Sequence, residues 1–86
     1  MQLPDRRPEI DYPTTWSYQL IGSDEALVRA AVAAIVAARE HTLQLTKTSR
    51  TGKYCSLRLE IVVADEADRL GLFQALATHA AVRFVL

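Results

Sequence analysis

The 86-residue sequence predicts an α+β fold: one four-stranded antiparallel sheet with two helices on one face, in the order β-α-β-β-α-β. Three observations carry this. From Cys55 to Val63 every second residue is apolar, the period of a strand with one buried face. Two stretches, after Gly22 and after Asp65, instead repeat their apolar residues at helical spacing. A polar, glycine-bearing pentapeptide, Ser49-Arg50-Thr51-Gly52-Lys53, separates two alternating runs and reads as a hairpin connection.

The elements follow in order. Residues 1–13 contain Pro4, Pro8 and Pro13, which are all the prolines of the chain, and lack any periodicity. They are expected to form a flexible N-terminal arm whose end Ile10 and Tyr12 pin to the body, with a single domain over residues 14–86. The first strand spans Thr15–Ile21, with Trp16, Tyr18 and Leu20 on one face and Ser17 and Gln19 on the other. Gly22 allows a turn, and Ser23 is the expected N-cap, with Asp24 and Glu25 near the positive end of the helix. The first helix is expected over Asp24–Arg39, with Leu27, Val28, Ala31, Val32, Ile35 and Val36 as its core stripe. Seven alanines between Ala26 and Ala38 favour it.

The second strand spans Thr42–Thr48, with Leu43 and Leu45 facing inward, and the third spans Tyr54–Val63. Asp65 caps the second helix, and Asp68 stands at the spacing of a capping box. Ala67, Leu70, Phe73, Leu76 and Ala77 form its expected buried stripe. The last strand is Ala81–Leu86, with Val82, Phe84 and Leu86 alternating against Arg83. Right-handed crossovers then give the strand order 4-1-3-2 of the ferredoxin-like, split βαβ arrangement. The run that begins at Cys55 becomes a central strand, and Ile21, Val62 and Val85 are expected on the sheet's outer face.

Composition narrows the function classes. Ten basic residues balance ten acidic ones, so no global field draws in nucleic acid or an anionic membrane. The single cysteine fits a reducing compartment, and no basic head with an apolar core opens the chain, so a cytoplasmic location is expected. No apolar run approaches the ~20 residues of a membrane span.

Cys55 is in phase with Leu57, Leu59 and Ile61, which places it in the core and away from redox or nucleophilic work. His41 and His79 lie in different connections, without the convergent ligands a metal needs. Arg58 and Glu60 share a sheet face, where solubility or cross-strand pairing accounts for them. Acylphosphatases share the topology but hold phosphate with an arginine in the loop after the first strand. The equivalent Ile21-Gly22-Ser23 has none. No catalytic set, metal site or cofactor motif emerges.

The basic hairpin is the best electrostatic feature. Lys47, Arg50, Lys53 and Arg58 occur with no acid between His41 and Leu59, and Tyr54 lies among them. These five residues are the expected contact set for a protein partner or an anion. The runner-up is a single-stranded nucleic-acid-binding module, but such readers stack bases on aromatics of the two central strands, and here Ser56, Arg58 and Glu60 follow Tyr54. A small enzyme is the third reading, resting on Glu60, His41 or His79. A weak homodimer through the outer sheet face is a further expectation.

Thr15-Trp16-Ser17-Tyr18-Gln19-Leu20-Ile21-Gly22 with the helix after it, Ser49, the hairpin exit Gly52-Lys53-Tyr54-Cys55-Ser56-Leu57 and the ending Val82-Arg83-Phe84-Val85-Leu86 together resemble the YbeD-like family of small bacterial proteins. The resemblance covers about Asp11–Leu86. It implies a βαββαβ fold similar to small-molecule-sensing domains of the ACT type, and a regulatory or adaptor role; in that reading Gly22 and Ser23, at the start of the first helix, are the expected contact for a small-molecule effector. The family has no established catalytic residues, so none are carried over.

Overall fold

The computed structural model describes residues 10–86, and the arm residues 1–9 lie outside the described part. The elements run β1 (Thr14–Gly22), α1 (Glu25–Val36), β2 (His41–Thr48), β3 (Cys55–Val63), α2 (Glu66–Thr78) and β4 (Phe84–Val85). The sheet order is β2-β3-β1-β4, all antiparallel, as the crossover rule requires. β1 and β3 pair along their whole length, from Thr14 with Val63 to Gly22 with Cys55.

That register decides which side chains face the helices. Trp16 with Ile61, Tyr18 with Leu59 and Leu20 with Leu57 point inward, onto Val28, Val32 and Val36 of α1 and Leu72 and Leu76 of α2. Ser17 with Glu60, Gln19 with Arg58 and Ile21 with Ser56 point outward. The Tyr18 hydroxyl, buried with its ring, donates to the Arg69 carbonyl at 2.7 Å, and among the described residues no buried side-chain nitrogen or oxygen lacks a partner. Burial also pushes the Tyr18 phenol above its ordinary pKa.

Several expectations change. The cap of α1 is Asp24, whose carboxylate accepts the Leu27 N–H at 3.1 Å; Ser23 stands outside the helix and is exposed. Both types are good caps, and the chain uses the one that leaves a turn for Gly22 and Ser23. The helix stops at Val36, three residues early, because Ala37 takes φ 53°, ψ −124°. The Arg39 N–H then closes a turn onto the Val36 carbonyl at 3.1 Å. Leu27 is exposed, so the stripe of α1 is narrower than its sequence pattern.

The largest correction concerns α2. Its buried face is Leu72 and Leu76, while Leu70 and Phe73 are 48% and 41% exposed and Ala67 and Ala77 face solvent. The helix carries large apolar residues at positions 70, 72, 73 and 76, which fit two stripes about 100° apart. The sheet selects one of them. Asp65 caps α2 as expected, accepting the Asp68 N–H at 2.7 Å. Asp68 reaches one residue further back than a capping box does, to the Ala64 N–H at 2.9 Å. It also holds Arg39 through two bonds of 2.9 and 2.8 Å, which lower its pKa from the ordinary carboxylate value.

β4 is shorter than expected and opposite in phase. Val82 is buried from the turn that precedes the strand, where its N–H meets the His79 carbonyl at 3.0 Å. Val85, opposite Leu20, then faces inward, and Phe84, opposite Ile21, faces outward. Tyr12 does pin the end of the arm: it is half-buried against the core, and its hydroxyl accepts from Arg69 Nε at 2.9 Å.

Candidate contact surface

The hairpin end of the sheet is built by a bulge. β2 pairs regularly with β3 from His41 to Leu45, then slips, so that Lys47 stands opposite Ser56 and Thr48 opposite Cys55. Strict alternation would have put Lys47 on the same face as Leu43 and Leu45, toward the helices. The extra residue reverses it, in the way bulges re-aim side chains. Thr46 anchors the slip: its hydroxyl donates to the Ser56 carbonyl at 3.0 Å and accepts from Gln19 Nε2 at 2.9 Å. Gln19 Nε2 also donates to the Ser56 hydroxyl.

The turn beyond is fixed by Ser49. Its N–H donates to the Tyr54 carbonyl at 2.8 Å, its hydroxyl accepts the Tyr54 N–H at 3.0 Å, and its carbonyl accepts the Gly52 N–H at 2.9 Å. Gly52 takes φ 71°, a region that side chains disfavour. Lys47, Ser49, Tyr54, Cys55 and Ser56 together with Ile21 line an almost wholly apolar recess of about 170 Å³. Arg83, from the segment before β4, lies over the Tyr54 ring at 5.7 Å from its centroid.

Of the expected contact residues, Lys47 and Tyr54 line the recess, and Arg50 and Lys53 stand exposed in the turn beside it. Arg58 lies further along the outer face, between Gln19 and Gln44. The ion pairs among the described residues are Arg29–Glu25, Arg39–Asp68 and Arg69–Glu66. Lys47, Arg50, Lys53, Arg58 and Arg83 take part in none of them. Sequence reasoning missed Arg83, which is 29 residues from Tyr54 in the chain, and it missed the bulge that turns Lys47 outward.

Gly22 is buried, and the room beside its Cα is taken by Val28 and the Ala81 carbonyl. Its lack of a side chain serves the packing of α1 against the segment before β4, and Ser23, the other expected effector contact, stands exposed in the turn that follows. Cys55 is 7% exposed with its thiol directed at the Gly22 carbonyl, 3.5 Å away, and burial raises its pKa. It is a core residue, as the alternation predicts.

His41 and Glu60 do come together, lining a recess of about 310 Å³ with Thr15, Glu40 and Thr42, but His79 lies elsewhere, its Nδ1 accepting the Ala81 N–H at 3.0 Å. His41 Nδ1 is engaged by the Arg39 carbonyl at 2.8 Å. Among the described residues no three His, Cys, Asp or Glu side chains are grouped to hold a metal ion, and no helix is long and apolar enough to cross a membrane.

The comparisons with known proteins bear on this arrangement. A family model described as "Protein of unknown function (DUF493)" matches residues 7–86. An uncharacterised protein, Cj0253, of Campylobacter jejuni is 33% identical over 81 residues, covering 94% of this chain and 91% of its own. A UPF0250 protein of Hahella chejuensis is 34% identical over 83 residues, covering 92% and 91%. The solution structure of HP0495 from Helicobacter pylori superimposes with a TM-score of 0.82 at 23% identity, covering 100% of this chain and 97% of that one, a likeness of fold. With the ferredoxin-like sheet order and the motifs from Thr15 to Leu86, these matches show that the chain belongs to the DUF493 family, the YbeD-like group of small proteins of unknown function.

Proposed function

We propose that this protein is a regulatory or adaptor domain that works by contact, recognising an acidic segment of a protein partner at the hairpin end of its sheet. One observation carries the reading. Lys47 lines an apolar recess that Ile21 and Tyr54 share, Arg83 lies over the Tyr54 ring, Arg50 and Lys53 stand exposed in the turn between Ser49 and Tyr54, and no ion pair among the described residues engages these four cations. An apolar floor rimmed by one sign of charge suits an acidic peptide that inserts an apolar side chain. The floor supplies burial at roughly 25 cal/mol per Å², and the rim supplies orientation and association rate. The bulge and the Ser49 hydrogen bonds tie down the backbone that carries Lys47, Arg50 and Lys53, and backbone already ordered loses less entropy on binding.

The outward residues of the two central strands weigh against the nucleic-acid reading. β1 presents Thr15, Ser17, Gln19 and Ile21, and β3 presents Ser56, Arg58, Glu60 and Val62, so the two central strands offer no outward aromatic for stacking; the exposed Phe84 and Tyr54 lie on β4 and before β3.

Capture of partners from extract by the wild-type chain, with Arg50→Glu, Lys53→Glu and Arg83→Glu as a triple variant, tests the proposal. Proteins with acidic segments should be retained by the wild type, released by added salt and lost with the variant. Partners that persist on a folded triple variant would overturn it, and so would salt-dependent capture of RNA in place of protein.

A further inference from the structure

β1 is a central strand with a half-open edge. On one side β3 covers it completely. On the other, β4 pairs only with Leu20 and Ile21, and Gln19 exchanges both backbone bonds with Leu86, at 3.1 and 2.8 Å. Backbone groups alternate in direction along a strand, so those of Thr15 and Ser17 point the same way as those of Gln19. Among the described residues no strand meets them. The open stretch, Thr14–Tyr18, is about 17 Å long.

A recess of about 340 Å³ opens on the helix side of that edge, lined by Trp16, Tyr18, Arg69, Leu70, Phe73 and Leu86. It holds the second apolar stripe of α2, the one the sheet does not bury. Leu70, Phe73 and Leu86 are 48%, 41% and 75% exposed. Arg69 is held in the wall, with its guanidinium 4.7 Å from the centre of the Trp16 ring and its Nε on the Tyr12 hydroxyl.

We propose that an extended peptide segment of a partner protein adds a strand along Thr14–Tyr18 and places a bulky apolar side chain in this recess. Backbone donors and acceptors in strand register are matched by another extended backbone. Alternation sends every second side chain of such a strand to the helix side, where the apolar recess takes it. The edge is too short for the ~800 Å² per partner of a stable dimer, which favours a linear peptide over a second copy of the domain. The surface lies at the other end of β1 from the basic recess and on the other layer, so the two proposals stand or fall separately.

Trp16 is the only tryptophan, and it lines the recess, so its emission reports occupancy directly. The full chain is titrated with the capped peptide Thr-Leu-Thr-Leu-Thr while Trp16 fluorescence and hydrogen exchange at the Thr15 and Ser17 amides are followed. The expected result is a saturable emission shift with Kd below about 1 mM, with exchange slowed at both amides. N-methylation of alternate peptide amides and, separately, Phe73→Glu should each weaken binding by about tenfold or more, the variant keeping its wild-type circular dichroism. Equal binding of the methylated peptide, or no saturation at several millimolar, overturns the proposal. So does protection of Thr15 and Ser17 without peptide. If constant with dilution, such protection means the chain fills its own edge; if rising with protein concentration, a second copy does.

Discussion

Replacing Gly22 with alanine is expected to be among the most damaging single-methyl changes in this domain. The added Cβ would sit 2.5 Å from Val28 Cγ2 and 2.7 Å from the Ala81 carbonyl oxygen, against the 3.4–4 Å of ordinary contact. Val28 is fully buried, so its methyl has nowhere to turn, and the Ala81 oxygen is backbone. Either α1 or the segment leading into β4 must move by roughly 1 Å. Overpacking of this kind costs about 1–3 kcal/mol, and two rigid neighbours put it at the upper end, about 3 kcal/mol. A domain of this size holds roughly 4–13 kcal/mol in total, and 1 kcal/mol shifts Tm by about 4–8 °C, so a loss of at least 10 °C is expected. Urea unfolding followed by Trp16 emission and circular dichroism measures it, with Gly71→Ala as the control. Gly71 is in α2 with nothing within 4 Å of an added Cβ, so that change should stabilise by up to about 1 kcal/mol. A Gly22→Ala variant within about 0.5 kcal/mol of wild type would refute the packing described for α1 against the β1–β4 junction.

Three further outcomes follow from particular contacts. Ala37→Gly should raise stability by about 1 kcal/mol, because φ 53° strains alanine and not glycine; thermal melts report it. Asp68→Asn should cost about 1 kcal/mol at pH 7, through the weakened bonds to Arg39 and the Ala64 N–H. The folded-state pKa of Asp68 lies below its ordinary value, so its contribution is complete above the ordinary pKa and fades as pH falls through the folded one. The difference between wild type and variant, measured by urea unfolding, should therefore shrink in acid below about pH 4. Cys55 should be silent to thiol reagents in the native protein and react at the rate of unfolding, since burial both shields the thiol and keeps it protonated.

Where local pattern and tertiary environment agree, the sequence is legible. The Cys55–Val63 alternation is buried and exposed as expected, apart from partial burial of Ser56 and Glu60, and the pairing with Trp16, Tyr18 and Leu20 follows from it. Elements that offer two local solutions are not legible. Residues 70, 72, 73 and 76 of α2 fit two helix faces, and the sheet position picks Leu72 and Leu76. Ser23 and Asp24 are equally good caps, and the turn after β1 picks Asp24. The β2 bulge leaves no trace in composition, yet it decides that Lys47 joins the outer face. At the candidate site, the basic hairpin was visible in the chain. Arg83 over Tyr54 was not, because that proximity exists only once β4 has paired with β1.

We propose that the hairpin end of the sheet is the surface on which this protein acts. Amide chemical-shift mapping of the labelled full chain, titrated with a captured partner's acidic segment, tests it most directly. The largest shifts should cluster at Ile21, Lys47, Arg50, Lys53, Tyr54, Ser56 and Arg83, and weaken with salt. Shifts centred on the exposed faces of α1 and α2, with this cluster unmoved, would contradict it.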